Sequence, residues 1–245
     1  MLIVLHYLPA LICGIHAVRT GRHSPWLWIL VVGGSLAAAV YFFAVILPEL
    51  MGGRTARGLT KAAQQALDPD RDYRNAMRAL EDTPTVGNRM KVAQAAAALG
   101  RWDDAEAQWA LCAGGHWGDD PTILLGHAEA LLELGRFDDA LKQLEKLKAT
   151  GSDGQTPQVA LAFARAYEGL DRNAEADDAY RFAADRVPGL EAGGRYVAFM
   201  AKIGRRADAE IGLAELDRRL KKIAPPLRAE ARVWRDVAAR ALGRA

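Results

Sequence analysis

An all-α fold is predicted by three features of the sequence. Two long apolar runs, almost free of charge, stand at the front of the chain. The phrase AALGRWDDAEAQW at 97–109 returns as LELGRFDDALKQL at 132–144, thirty-five residues later. Glycines close the periodic segments, and carboxylates or prolines open the next ones, which is how helices are punctuated. Three regions follow: an apolar front at 1–53, a repetitive region at 54–223 and a terminal helix at 224–245.

The front predicts a helical hairpin in a membrane. Between Met1 and Pro48 the only charged residues are Arg19 and Arg22, which split the stretch into runs of 18 and 22 residues. At about 1.5 Å per residue, each run can cross a hydrocarbon core of roughly 30 Å. No basic residue precedes the first run and a second follows it, so a cleaved signal peptide fits poorly. Ala10 and Gly14, Gly33 and Ala37, Gly34 and Ala38, and Ser35 and Ala39 put small residues four apart, where another backbone can approach. Trp26 and Trp28 suit an interfacial belt, and Pro48 with Glu49 suits the end of the second helix. His6 and His16, ten residues apart and without a nearby carboxylate, are expected to be neutral groups facing the helix interface.

Which side the rest of the chain occupies is a conflict. Arg19 and Arg22 argue that the turn is cytoplasmic, whereas Arg54, Arg57 and Lys61 argue that the following region is, and a two-span hairpin cannot satisfy both. Three charges against two favour a cytoplasmic repeat region. The segment from Cys13 to Phe43 resembles the N-terminal membrane hairpin of cardiolipin synthases and other phospholipase D relatives, on the basic turn, Pro25, Trp26, Gly34 and Tyr41. That superfamily's histidine two before a lysine occurs nowhere, so its chemistry is not expected here.

Behind the front, alanines recur at Ala105, Ala140, Ala176 and Ala209, spaced by 35, 36 and 33. A period near 34 signals stacked helix pairs, none of which can bury its apolar face alone. Gly100 and Gly135 suit left-handed helix ends, and the Asp-Asp pairs after Trp102 and Phe137 are expected to cap the next helix. Trp102, Trp109, Phe137, Tyr167 and Tyr180 are expected to fill the gaps between layers. Ala164, Tyr167, Ala176, Tyr180, Ala183 and Pro188 resemble the small, aromatic and proline positions of the tetratricopeptide repeat (TPR). Ala93, Gly100, Trp102 and Ala105 match it in the first unit, Ala128, Gly135, Phe137 and Ala140 in the second, and Gly204 and Ala209 in the fourth. DYRNAMRAL, with Tyr73 and Ala76, adds a half-unit, so that the resemblance covers residues 70–222. The last segment opens with Pro225 and Pro226, sets Leu227, Ala231, Trp234 and Ala238 on one face, and reads as a capping helix.

The TPR resemblance implies a concave surface built from the first helix of each pair. Carried over position by position, it would show Met90, Gln94 and Ala97, then Leu125, Glu129 and Leu132, then Leu161, Arg165 and Glu168, ending at Ala198 and Lys202. Such mixed lining suits an extended peptide or a partner helix, and equally describes a solvated face.

Signatures for chemistry are missing: the sequence holds no phosphate-binding loop, nucleophile elbow, zinc-protease helix or dinucleotide fingerprint. Two cysteines, Cys13 and Cys112, exclude a disulfide framework and a cysteine-based zinc site. In GGHWGDD, His116 and the aspartates look site-like, but an aspartate before Pro121 is more simply a helix cap. His127, where the repeat usually has leucine, is expected to be a buried, hydrogen-bonded histidine. A net charge of +2 gives no argument for nucleic acid, although residues 103–191 carry 18 acidic against 8 basic side chains and residues 202–245 carry 6 against 12.

The expected function is therefore a non-enzymatic scaffold or adaptor in a bacterial inner membrane. It would be anchored in the lipid bilayer through residues 1–48, would need no cofactor or metal, and would bind a protein or peptide partner. The second expectation is an accessory subunit of a lipid-synthesis or envelope-assembly enzyme.

Overall fold

The computed structural model of the chain describes residues 2–20, 23–46, 68–151 and 156–244, and among these it is all-helical with no strand. Arg22, Pro48, Glu49, Arg54, Arg57, Lys61 and the boundary at residue 53 lie outside the described residues, as does the side chain of His6. Two compact units divide near residue 71. The terminal helix belongs to the second of them.

In the first unit, α1 (Leu2–Arg19) packs along α2 (His23–Tyr41), which runs on into one wide π-helical turn, Phe42–Ile46. Residues Trp26–Ile46, with a mean hydropathy of 2.4, are long and apolar enough to cross a membrane by length and composition. The run is not a straight rod, however. Gly34 has φ +52°, outside the right-handed helical region, and a Cβ placed on Gly33 would lie 2.7 Å from that of Ala37. The Trp26 and Tyr41 rings are 5.1 Å apart, although fifteen residues of straight helix would separate them by about 22 Å. The helix therefore doubles back at Gly34.

Contacts with α1 confirm the reversal. Gly14 meets Leu27 as in an antiparallel pair, whereas Cys13 meets the Ala38 carbonyl and His16 meets Tyr41, both pairs advancing in the same direction. Limb 23–33 is antiparallel to α1, and limb 35–46 is parallel to it. The expected two-rod hairpin is thus replaced by three limbs around a core of Ala10, Cys13, Ala17, Leu30, Ala37, Ala38 and Tyr41. Ala10, Ala37 and Ala38 sit in that core, as the small-residue spacing predicts, whereas Ala39 of the Ser35 pair is exposed. Trp28, Val32, Leu36 and Phe43 project outward, each more than 60% exposed.

The second unit contains α3 (Arg71–Asp82), α4 (Val86–Ala98), α5 (Trp102–Ala113), α6 (Pro121–Glu133), α7 (Phe137–Ala149), α8 (Pro157–Gly169), α9 (Asn173–Arg186), α10 (Glu191–Lys202), α11 (Arg206–Lys222) and α12 (Arg228–Ala241). From α4 to α11 each helix packs on the next in chain order, and α4, α6 and α8 also touch in succession. Ala105, Ala140, Ala176 and Ala209 are all fully buried, as expected of positions where backbones approach. Aromatic rings fill notches left by glycine. A Cβ on Gly126 would lie 2.5 Å from the Trp109 ring, and one on Gly169 would lie 2.3 Å from Phe137.

Each first helix ends in one recurring turn. Gly100, Gly135 and Gly204 have φ between +70° and +83°, and Asp171 occupies the same place in the third unit at φ +56°. The next residue is always arginine, whose N–H donates back across the helix end: Arg101 to Ala96, Arg136 to Leu131, Arg172 to Tyr167 and Arg205 to Met200, each at 2.9 Å. The same turn closes α12, with Gly243 at φ +73° and Arg244 donating to Ala239 at 2.8 Å.

These arginines correct the expectation that Asp-Asp caps the second helices. The arginine itself occupies the N-cap position in α5, α7, α9 and α11, and no side chain caps there. The acid three residues on grips the guanidinium instead, at 2.7 Å for Arg101–Asp104, 2.8 Å for Arg205–Asp208 and 2.7 Å for Arg172–Glu175. The guanidinium then reaches back to earlier chain. Arg136 donates to Glu106 at 3.1 Å, Arg205 donates to Asp177 at 2.7 Å, and Arg101 and Arg172 lie over the rings of Tyr73 and Tyr167. First-turn acids such as Asp103 and Asp138 still complement the helix dipole.

At the far end, Leu227 departs from expectation. It lies exposed in a short 3₁₀ turn, Pro225–Leu227, while Ala231 and Ala238 are buried and Trp234 is half-buried. Asp120 caps α6 as expected, accepting from the Thr122 N–H at 2.8 Å ahead of Pro121.

Candidate functional site

The face shared by the first helices α4, α6, α8 and α10 carries the expected site residues unevenly. Gln94, Glu129 and Lys202 are exposed, and Met90, Leu125, Arg165 and Glu168 are half-buried. Leu132 and Leu161 depart from the expected open lining, since at 4% and 8% exposure both belong to the core. Leu132 packs in the cluster with Leu124, Leu131 and Leu144, and Leu161 in the one with Ala164, Tyr180 and Phe199. A first helix lies between neighbours on two sides. Its accessible strip is therefore narrower than a periodic reading of one helix suggests.

The polar members come together as a ladder of charge. Arg165 on α8 donates to Glu133 on α6 at 2.6 Å, and Lys202 on α10 meets Glu168 on α8 at 3.5 Å. Glu168 also accepts from the buried Tyr180 hydroxyl at 2.6 Å. Burial first, and then the Glu168 carboxylate, push the Tyr180 phenol far above its ordinary range, so it stays a neutral donor that fixes Glu168. Glu133 and Tyr180 were not among the expected site residues. They lie on different helices, and only stacking makes them partners of Arg165 and Glu168.

Glu129 is the exception on this ladder. It makes no hydrogen bond or ion pair with the described residues, and solvent reaches it. Loss of water raises its carboxyl above the ordinary carboxylate range, Glu191 and Glu133 add to the rise, and Arg165 opposes it. Such a group gains from any donor a partner brings.

A second polar cluster sits deeper. His127 is 7% exposed, and its Nε2 lies 3.4 Å from Glu106, which also holds Arg136. Its Nδ1 is buried without a partner. Burial lowers the His127 pKa, and the Glu106 hydrogen bond only partly offsets this. The expectation of a buried, hydrogen-bonded histidine therefore holds for one ring nitrogen and fails for the other. The unit thus presents an ion-paired face with one unpaired carboxylate, and the geometry suits recognition of a cation or N–H donor. No protein-family model matches this chain, and no curated protein matches it.

Proposed function

We propose that the protein is a membrane-anchored scaffold that binds another protein through the face of its first helices, with no catalysis of its own. In this reading residues 70–222 are a TPR-like superhelical stack, the N-terminal unit sits in the lipid of a bacterial inner membrane, and the stack works in the cytoplasm. The recurring turn at Arg101, Arg136, Arg172 and Arg205, with its fixed spacing, supports the repeat reading.

The observation that carries the binding proposal is Glu129, an exposed carboxylate with no hydrogen bond or ion pair to the described residues, beside a ladder of paired ones. The stretch of chain that holds it, residues 103–191, carries 18 acidic against 8 basic side chains. A basic peptide segment is the partner that this chemistry recognises, because a lysine or arginine gives Glu129 the ion pair it lacks.

Photo-crosslinking in intact membranes tests it. The full chain carries a photoreactive residue at Gln94 on the proposed face, or at Lys142 on α7 as the control. A protein captured from Gln94, absent from Lys142 and lost with Glu129→Lys is the expected result. Identical capture from both positions refutes the proposal. A captured lipid synthase would recast the scaffold as an accessory subunit of that enzyme.

A further inference from the structure

We infer that the N-terminal unit is a re-entrant anchor: α1 crosses the bilayer, α2 enters beside it and turns back at Gly34, and the chain leaves on the side of the Arg19 turn. The inference rests on the reading that this unit lies in lipid. What it adds is the path of the chain.

The direction follows from the contacts. Cys13 pairs with Ala38 and His16 with Tyr41, so advancing along α1 toward Arg19 is also advancing along limb 35–46 toward Ile46. Continuing that register brings Ile46 to the Arg19 end. Extended the other way, it sets Gly34 level with Pro9, ten residues or about 15 Å from Arg19 along α1. That is about half of a 30 Å hydrocarbon core. Limb 23–33 spans about 16 Å and limb 35–46 about 18 Å, too short to cross, whereas the 18 residues of α1 reach about 27 Å.

Lipid tolerates a backbone reversal only where protein covers it. Here the residues about the bend are Gly33, Gly34 and Ser35, small enough for Ala37 to close against Gly33, and Ala10 of α1 is buried at the same level. Leu11, Ile15, Val31, Val32, Leu36 and Phe43 cover the outside with apolar surface, as a bilayer requires.

This path also removes a conflict in the sequence. Two straight spans would put Arg19 and Arg22 across the membrane from Arg54, Arg57 and Lys61, and one cluster would defy the preference for a cytoplasmic location. One crossing plus a re-entrant turn brings the chain out on the side of the first cluster. All five basic residues then favour the same face.

Cysteine accessibility in the full-length chain decides it. In a Cys13→Ala, Cys112→Ala background, single cysteines replace Thr20, Ser35 or Asp82, and a membrane-impermeant maleimide is applied to vesicles of each orientation. The expected result is labelling of Thr20→Cys and Asp82→Cys from the same side, with Ser35→Cys labelled from neither until detergent is added. Labelling of Thr20→Cys and Asp82→Cys from opposite sides overturns the inference and leaves a two-span anchor. Release of the chain by an alkaline wash defeats the lipid reading itself and is a separate outcome. Spin labels at Thr20 and Phe43, both exposed, give an independent measure. Adjacent limbs place them within about 10–20 Å, and a straight second helix places them about 30 Å apart.

Discussion

Asp171 stands where the other units have glycine, and replacing it should stabilise the fold. Its φ of +56° is left-handed, the same conformation that Gly100, Gly135 and Gly204 adopt at their helix ends. An L-residue there bears about 1–2 kcal/mol of contact between Cβ and backbone, nearer the lower figure for aspartate. Glycine removes that strain but loses more freedom on folding, at about 0.5–1 kcal/mol. The backbone bonds of the turn, Arg172 N–H to Tyr167 and Asp171 N–H to Glu168, do not depend on the side chain. Asp171→Gly is therefore expected to add about 0.5 kcal/mol and to raise the Tm by about 1–3 °C. Thermal unfolding followed by helical circular dichroism reads the shift, and slower amide exchange at Arg172 localises it. Asp171→Ala keeps the strain and should be no more stable than the parent. If alanine matched or exceeded glycine, conformational strain would not be the cause and the reasoning would be wrong.

Three further outcomes follow from the second unit. His127 has a pKa lowered by burial, so the unfolded chain takes up its proton first. Stability from this residue is intact above about pH 6.5 and declines as pH falls toward the folded value. His127→Leu should flatten that decline relative to the parent, with Glu106, Arg136 and Lys146 unchanged around it, as pH-dependent denaturation would read. Arg165→Met removes the cation that opposes the rise at Glu129, so the Glu129 carboxyl should titrate higher still by carbon-detected NMR. Because a raised carboxyl loses its contribution as pH climbs through the folded value, that variant should be weakened more at pH 7 than at pH 4. Gly194→Ala would put a Cβ 2.6 Å from the Trp234 carbonyl oxygen, and overpacking of this kind costs about 1–3 kcal/mol. Faster amide exchange along α12, with α4 to α7 unaffected, would confirm that Gly194 is where the terminal helix docks.

The second unit was legible because its packing demands a period. The alanines at 105, 140, 176 and 209 are fully buried where helices pack, so a small residue recurs there and the spacing shows in the sequence. Glycine at 100, 135 and 204 is favoured by positive φ, although Asp171 holds the equivalent place in the third repeat. The arginine at the following position is legible only in part. Its grip by the acid three residues on is local, but its reach to Glu106 from Arg136 and to Asp177 from Arg205 spans about thirty residues that only the fold brings together. The site was legible only in part for a related cause. Register along one helix puts Leu132 beside Glu129 and Leu161 beside Arg165, but the neighbouring pair of helices decides which of them sees solvent. Polarity marked the accessible residues better than register did.

The first unit resists the same reading because its sequence offers no polar contrast. A helix in water advertises its buried face by contrast with a polar one, whereas here both the core residues, such as Leu30 and Ala37, and the outward ones, such as Val32 and Leu36, are apolar or small. Length then becomes the only remaining guide, and 22 apolar residues read as one crossing. What that count leaves out is a residue whose effect is conformational. Gly34 has no side chain to register as polar or apolar, yet its φ of +52° sends the chain back along α1, with Ile46 toward the Arg19 end. The proposed re-entrant path is also the one that lets the five basic residues on both flanks favour a single face. Under that proposal the conflict between span counting and charge is traced to the backbone, and the Gly33-Gly34 pair marks the turn.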